Sequence, residues 1–223
     1  MLKRLLFITF VAASLHAAPP PAYHLELEAN PATPFPFLGK FGTVTLHVYP
    51  AGVRANSMWL NGFSRDGATV TVENPYARMY TQVPVAQFAA TLERMANAQV
   101  NEGGAPPVKG PTAGKVGGRA ANRYRLVYGP DAWIDIWTSR SVPESAQLKM
   151  LVDGFVRGVA PRTADVLRSI PGTPIYVEMN FEHYKKMPVV WIKSFVANSA
   201  GEQEALRVGR FYFKVPLLDA LWK

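Results

Sequence analysis

Apolar and polar residues alternate with a period of two over most of this chain, and short turn-forming stretches separate the runs. In the first run, Tyr23, Leu25 and Leu27 alternate with polar neighbours. This alternation is typical of strands that bury one face. Because short turns, rather than helices, join most successive runs, we predict an antiparallel meander of about ten strands. A sheet of that length must curl or close to protect its edges.

The predicted strands are short and bounded by glycine, proline and asparagine. They cover residues 23–28, 43–48, 53–60, 68–73, 78–83, 122–128, 132–138, 174–182, 189–197 and 206–215. Residues 61–67 are rich in hairpin-turn residues and are predicted to join the third and fourth strands. Residues 101–118 are rich in glycine and proline and are predicted to form a long loop.

The hydrophobic period changes to three and four residues in two places, which predicts helices. The first amphipathic helix is predicted over 84–99, with proline at its first position. The second is predicted to begin at Pro143 and to end near Gly158. A shorter helix is predicted over 161–170, before Pro171.

The start of the chain has the pattern of a signal peptide, residues 1–17. Lys3 and Arg4 precede an apolar run that is followed by small residues up to Ala17. The run is shorter than the roughly 20 residues needed to cross a bilayer. We therefore predict cleavage after Ala17 and an exported protein, periplasmic or secreted, with a retained N-terminal anchor as the alternative.

The composition indicates one globular domain after this segment. Of the 223 residues, 48% are hydrophobic and 18% charged, which excludes disorder for most of the chain. Residues 18–37 are predicted to be a Pro-rich segment with one short strand, and 38–223 a single curved-sheet domain. There is no cysteine, so an exported form must be stabilised by its core without disulfides.

The order of these elements and four short stretches resemble a known fold. The stretches are KVGGRAANRY (115–124), WIDIWTS (133–139), GTPIY (172–176) and GRFYFKV (209–215). They resemble the LolA-like envelope lipoprotein-carrier fold and, within it, uncharacterised exported families of the DUF4412 type. The resemblance implies a mostly β (α+β) half-barrel of about ten antiparallel strands, with two or three helices packed in its concave face. Family members that carry acyl chains hold them in an apolar cavity between the sheet and the helices.

The sequence offers little catalytic chemistry. His24, His47 and His183 form no H-x-x-x-H pair, and neither G-x-S-x-G nor a complete phosphate loop occurs. Alternation places four strand carboxylates on solvent-facing positions rather than in an acid–base pair: Asp131, Asp135, Glu178 and Glu182. We therefore predict no enzymatic activity, no cofactor and no metal site; a hydrolase with an unrecognised site is the remaining catalytic alternative.

Aromatic residues in the middle of predicted strands indicate either a close-packed core or a lined pocket. Trp133 and Trp137 share one strand face with Asp135, while Ile134 and Ile136 share the other. Both faces must then be covered, or one must meet a partner. The residues predicted to line a hydrophobic pocket are Phe88, Leu92, Ile134, Ile136, Phe155, Val177, Met179 and Trp191.

Basic residues outnumber acidic ones in the predicted loop and the strand after it. A solvated, flexible loop is the simpler interpretation. The alternative is transient contact with anionic lipid headgroups through Lys109, Lys115 and Arg119, worth about 1 kcal/mol per basic residue. No nucleic-acid recognition motif accompanies the charge, so we predict no nucleic-acid partner.

The leading prediction is a soluble exported protein that binds a hydrophobic ligand: an acyl chain, a lipid or a lipidated protein. Burial alone would provide the affinity, since each methylene hidden from water contributes about 0.8 kcal/mol. The non-enzymatic alternative is an envelope interaction or sensor module with a filled core, whose apolar face docks a protein partner.

Overall fold

The structure, a computed structural model, describes residues 22–32, 42–58, 61–95, 104–181, 183–197 and 206–222. Within these ranges the chain is mostly β, with one open, curved sheet of twelve strands and four helices. The predicted signal peptide lies outside the described residues. The strands are β1 (Tyr23–Ala29), β2 (Thr43–Tyr49), β3 (Gly52–Asn56), β4 (Asn61–Ser64), β5 (Thr69–Asn74), β6 (Met79–Pro84), β7 (Val108–Val116), β8 (Arg119–Val127), β9 (Trp133–Ser139), β10 (Thr173–Phe181), β11 (Tyr184–Ala197) and β12 (Phe213–Lys214). The helices are α1 (Val85–Met95), α2 (Ala146–Val159), α3 (Pro161–Leu167) and α4 (Leu217–Trp222).

Two antiparallel meanders, β1 to β6 and β7 to β11, form the sheet and meet at its centre. The strand order is β12-β6-β5-β4-β3-β2-β1-β11-β10-β9-β8-β7. The antiparallel pairing of β1 with β11 joins the two halves, and β12 adds a short parallel pairing beyond β6. The predicted fold class, a curved antiparallel sheet with helices on its concave face, is confirmed.

Strand β1 lies in the middle of the sheet, between β2 and β11. The sequence assigned it to a segment preceding a domain that starts at residue 38. Tyr23 and Leu25 are instead buried in the central core cluster. The curved sheet therefore begins upstream of the predicted boundary.

The sheet has an apolar face and a polar face. Residues directly opposite each other on neighbouring antiparallel strands share a face. Leu25 lies opposite Leu46 on one side and Phe195 on the other, which defines the apolar face. One residue along the chain, His24 lies opposite His47, which defines the polar face.

Helices pack on the apolar face in three clusters. Leu148 and Leu151 of α2 pack with Tyr23, Leu25 and Val48 over the central strands. The other two clusters lie towards the two edges of the sheet. One joins α1, α2 and α4 to β5 through Val70, Val72, Val85, Phe88, Phe155 and Leu221, and the other joins α3 to β8 and β9 through Val166, Leu167, Ile170, Tyr124, Leu126 and Ile136.

The predicted loop at 101–118 contains a strand, so that prediction is wrong in its second half; residues 101–103 lie outside the described ones. β7 pairs with β8 along its length, with a register shift between Lys109 and Thr112. Pro111, which lies in this shift, has no amide hydrogen to donate. It is tolerated because β7 is an edge strand, and irregular edge strands accept proline. Composition alone favoured a loop because both faces of this strand are largely exposed.

The turn predicted at 61–67 is shorter than expected, because residues 61–64 form β4. The connection to β5 is an Asx-type turn, in which the Asp66 carboxylate accepts hydrogen bonds from the amides of Ala68 (2.9 Å) and Thr69 (2.8 Å). Residues 59 and 60, predicted as the end of the preceding strand, lie outside the described residues.

The strand predicted over 206–215 is also wrong. Residues 206–212 form an irregular segment, only two residues pair as β12, and the unpredicted helix α4 follows. Leu206 packs with Tyr49 and Phe63, so this segment crosses the polar face before α4 reaches the apolar one. Leu206 and Val208 therefore contribute to tertiary packing rather than to a regular strand face.

Helix boundaries differ from the prediction by a few residues. α2 begins at Ala146 rather than Pro143, because the Ser145 hydroxyl accepts a hydrogen bond from the Leu148 amide (3.2 Å) and caps the helix. The Pro143 carbonyl instead accepts a hydrogen bond from the Tyr23 hydroxyl (2.9 Å). α3 ends earlier than predicted, and residues 96–99 of the first predicted helix lie outside the described ones.

A histidine pair on the polar face predicts a pH-dependent stability. The His47 ring lies 5.8 Å from His24 and is stacked at 6.3 Å on Tyr49. Burial, then the charges of His24 and Arg54, lower the pKa of His47. The unfolded chain therefore binds more protons as the pH falls below about 6.5, and the free energy of unfolding should decrease between pH 7.5 and pH 5.5.

Urea unfolding at the two pH values tests this expectation. In His47→Gln the decrease should be smaller than in the wild type, whereas in His183→Gln, which changes an exposed side chain, it should be unchanged. An identical decrease in His47→Gln and in the wild type would contradict the assignment.

Candidate functional site

A cleft on the polar face of β7 to β11 is lined mainly by charged and aromatic side chains. Arg123 of β8 lies opposite Trp137 of β9, which in turn lies opposite Tyr176 of β10. Two residues away on β8 and β9, Arg125 lies opposite Asp135. The cleft has a volume of about 340 Å³. We call it the Arg–Trp cleft; its lining residues are Val116, Arg123, Arg125, Trp133, Asp135, Trp137, Tyr176, Glu178 and Lys186.

The cleft contains an ion pair whose carboxylate is buried and whose arginine is partly exposed. Nε and Nη2 of Arg125 donate to the two carboxylate oxygens of Asp135 at 2.6 and 2.7 Å. Arg123 Nη1 lies 3.8 Å from the same carboxylate. The hydrogen bond to Asp135 is the largest cause that raises the pKa of Arg125. Asp135 is only 2% exposed, so the prediction of a solvent-facing carboxylate is wrong: the two arginines cover it.

Tryptophan rings and guanidinium groups stack alternately across this part of the sheet. The Arg125 guanidinium carbon is 3.9 Å from the centre of the Trp133 ring, and that of Arg123 is 5.7 Å from Trp137. Cation–π attraction and the bidentate pair with Asp135 hold Arg125 from two sides. The Trp137 ring also lies so close to Gly114 that a Cβ there would be 2.8 Å from it, so a residue without a side chain is required.

The opposite wall is formed by β10. The Tyr176 hydroxyl donates to Glu178 Oε2 at 3.3 Å. Burial, with a smaller effect of the Glu178 charge, raises the pKa of Tyr176 to about 12. Tyr176 therefore stays protonated at neutral pH and acts as a hydrogen-bonding group rather than as a base. The cleft thus offers fixed charges of both signs beside aromatic rings, an arrangement suited to binding a polar ligand.

A second cleft, of about 390 Å³, lies on the polar face of β4 to β6. The C-terminal segment closes one side of it: Arg65 donates to the Leu206 carbonyl at 2.8 Å, and Arg207 and Val208 contribute to the lining. None of the eight predicted ligand-binding residues lines either cleft.

The structure divides the eight predicted residues among three places. Phe88 of α1 and Phe155 of α2 meet between the two helices, with their ring centres 6.4 Å apart. Leu92 lies one helical turn after Phe88 on α1. Ile134 and Ile136 lie under α3, and their cross-strand partners are Met179 and Val177.

Trp191 lies on the polar face, separated from the other seven. Its cross-strand partners are Tyr176 and Glu28, both polar-face residues. A register shift within β11, between the partners of Glu26 and Leu27, interrupts the alternation of faces along this strand.

The predicted headgroup-contact residues lie on β7 and at the start of β8. Lys109 and Lys115 are exposed. Arg119 is half-buried: its guanidinium carbon is 6.0 Å from the centre of the Phe195 ring, and among the described residues its buried Nη1 atom has no hydrogen-bond partner.

Sequence reasoning missed the Arg–Trp cleft, although a signal was present. Arg123 and Arg125 alternate on one strand, and Trp133, Asp135 and Trp137 alternate on the next. The short turn between the strands implies antiparallel pairing, which brings the two sets together on one face. Arg123 and Arg125 were instead considered only as part of the basic charge of the predicted loop and the strand after it.

Among the residues that the structure describes, no group of three or more histidine, aspartate or glutamate side chains is placed to hold a metal ion. No helix there has both the length and the apolar character required to span a membrane.

By its fold, the chain belongs to the class of open, curved antiparallel sheets whose helices cover one face. It is similar to an uncharacterised conserved protein from Thermus thermophilus, with a TM-score of 0.51 and 7% sequence identity over 88% of this chain and 90% of that chain. At this identity the likeness shows the fold alone.

The other comparisons add no identification. The structure of PNGF-II covers 91% of this chain and 33% of its own, with 12% identity and a TM-score of 0.44. No family model matches the sequence, and no curated protein does. Neither structural neighbour is described as LolA-like or as a DUF4412-type protein, so that resemblance stays a prediction.

Proposed function

We propose that this protein is an exported binding protein that holds an acyl chain, a lipid or a lipidated protein against the apolar face of its curved sheet. The observation that carries the proposal is a row of half-buried apolar side chains on the central strands: Leu27, Val44, Ile192 and Phe195. Leu27 lies directly opposite both Val44 and Ile192, so these three side chains are adjacent on one face.

The distribution of the helices supports this location. Towards one edge, α1, α2 and α4 pack on β5, and towards the other, α3 packs on β8 and β9. The row of half-buried side chains lies on β1, β2 and β11, between these two regions. Leu27, Ile192 and Phe195 pack there against the central cluster that contains Leu148 of α2, and each keeps part of its surface exposed. Val177 and Ile134, two of the residues predicted from the sequence, are also half-buried and extend the surface towards α3. Trp191 is not included because it lies on the other face.

The energetic basis is burial of the ligand without catalysis. Ten methylenes hidden from water would contribute about 8 kcal/mol before the cost of association is subtracted. That gain is sufficient for measurable binding of a long acyl chain and independent of the headgroup.

Two adjacent residues of β2 provide a matched test. Val44 points to the apolar face and Thr45 to the polar face, and both are half-buried. In a titration with a fluorescent fatty acid, Val44→Gln should weaken binding roughly tenfold, because it removes apolar contact worth about 1.4 kcal/mol. Thr45→Gln should leave the affinity within about twofold of the wild type.

Mass spectrometry of organic extracts from the purified protein provides an independent measurement. We expect a bound lipid or fatty acid. Absence of any extracted lipid, together with no saturable binding of the fluorescent fatty acid by the wild type, would reject the proposal in favour of an interaction module with a filled core.

A further inference from the structure

The four most exposed large hydrophobic side chains of the described residues gather at one corner of the sheet. They are Phe211 (79% exposed), Tyr76 (74%), Phe213 (70%) and Met58 (69%). They come from three separate segments: the β3–β4 connection, the β5–β6 turn and the chain leading into β12. We call this group the apolar tip.

Hydrogen bonds join the three segments. The Tyr76 hydroxyl donates to the Met58 carbonyl at 3.2 Å. The Phe213 amide donates to the Arg78 carbonyl at 2.9 Å, and Phe213 lies opposite Met79 in the β6–β12 pairing. These contacts therefore fix the segments that carry Met58, Tyr76 and Phe213 relative to their neighbours, and Phe211 lies two residues before Phe213.

The turn that carries Tyr76 is also held from the side of the core. The Asn74 side-chain oxygen accepts hydrogen bonds from the amides of Tyr76 and Ala77, both at 3.1 Å. Its nitrogen donates to the Ala220 carbonyl of α4 at 3.2 Å. Since Asn74 is buried, the tip is an ordered protrusion built by the fold.

Three exposed basic residues lie beside residues of the apolar tip in the chain. Arg78 follows Tyr76 by two residues, Arg210 precedes Phe211, and Lys214 follows Phe213. The nearby carboxylate of Glu73 is buried and paired with Arg54 at 2.6 Å, so it does not offset this charge at the surface. The corner therefore combines protruding aromatic rings with a positive rim.

We propose that the apolar tip inserts into the headgroup region of an anionic lipid bilayer. Aromatic rings are favoured at the membrane–water interface, where their apolar body leaves water. Basic side chains beside them are attracted to the negative surface potential of the membrane. A membrane fits this corner because the exposed charged side chains beside the rings, Arg78, Arg210 and Lys214, are all basic and match the negative surface of an anionic bilayer. This site is separate from the apolar face proposed to hold the ligand.

Flotation with lipid vesicles tests the proposal on the full-length chain without its predicted signal peptide. The wild type should float with vesicles of phosphatidylcholine and phosphatidylglycerol and bind vesicles of pure phosphatidylcholine more weakly. The double variant Phe211→Ser/Phe213→Ser should lose at least about fivefold in partitioning to the mixed vesicles. Arg210→Gln/Lys214→Gln should lose a similar factor and become less sensitive to salt.

A matched control replaces two exposed apolar residues elsewhere, Met150 (50% exposed) and Val152 (41%) on α2. Met150→Ser/Val152→Ser should float like the wild type. All variants change exposed side chains, so their thermal unfolding should match that of the wild type and verify folding. The fluorescent fatty-acid affinity of the Phe211/Phe213 variant should also be unchanged, which separates this inference from the proposed function.

Three results would overturn the proposal. The wild type could stay unbound with both kinds of vesicle, or the Phe211/Phe213 variant could float as well as the wild type. Concentration-dependent self-association that the same variant abolishes, without vesicle binding by the wild type, would assign the tip to a protein interface instead.

Discussion

Replacing Gly158 with valine is expected to lower the free energy of unfolding by about 3 kcal/mol. Gly158 lies in α2 where this helix crosses α1. A Cβ atom at this position would lie 2.2 Å from the Ala86 carbonyl oxygen and 2.9 Å from its carbonyl carbon and Cα. All three are backbone atoms, so the overlap is relieved only if the two helices move apart. That movement would loosen the Phe88–Phe155 contact beside the crossing.

Gly154 of the same helix provides the control. A Cβ there would meet Val85 side-chain carbons at 3.1 and 3.2 Å, a tight contact but not with backbone. Alanine at Gly154 gains about 1 kcal/mol of helix propensity, which offsets the crowding, so Gly154→Ala should be nearly neutral. Urea unfolding followed by circular dichroism measures both. If Gly158→Val lies within about 1 kcal/mol of the wild type, the helix crossing is not as close as described.

The second large effect concerns the buried carboxylate of the Arg–Trp cleft. Arg125→Met should lower the free energy of unfolding by about 2 kcal/mol, since Asp135 would keep only the more distant Arg123. Loss of one partner of a fully buried pair costs about 3–5 kcal/mol. The expected value is lower because the Arg125 side chain is 31% exposed, so water partly replaces it beside the carboxylate.

Two further variants separate charge burial from lost packing. Arg125→Met/Asp135→Leu should recover much of the loss, because no charge then remains buried without its main partner. Arg168→Met removes an exposed arginine that pairs with Asp153 at 3.1 Å and should cost less than about 1 kcal/mol. A double variant no more stable than Arg125→Met alone would show that stacking on Trp133, rather than charge pairing, accounts for the effect.

The individual strand and helix periods were readable from the sequence because they depend on neighbours in the chain. Tyr23, Leu25 and Leu27 were predicted on one strand face, and the structure places all three in or against the central core cluster. Of the apolar stripe predicted for α2, Leu148, Leu151 and Phe155 pack on the sheet or on α1, whereas Val152 is exposed. Alternation and helical periodicity are local properties, so no tertiary information was required.

Predictions failed where regular alternation broke down or where long-range packing decided the outcome. β7 is exposed on both faces and carries Pro111, so its composition does not distinguish it from a loop. Its pairing with β8 in the structure identifies it as a strand. The C-terminal segment contains strand-like aromatic residues, but Leu206 packs across the polar face and the chain then turns into α4.

By itself, the sequence determined most of the elements and which side chains each strand turns to the same face, because these follow from periods of two and 3.6 residues. Only the tertiary structure decided which elements meet. It pairs β1 with β11, buries Asp135 beneath Arg123 and Arg125, and brings Met58, Tyr76 and Phe213 to one corner. Each of these arrangements joins residues from different elements of the fold. Whether a side chain is buried, and which residues it contacts, depends on the other elements that pack against it, and the local sequence pattern does not contain that information.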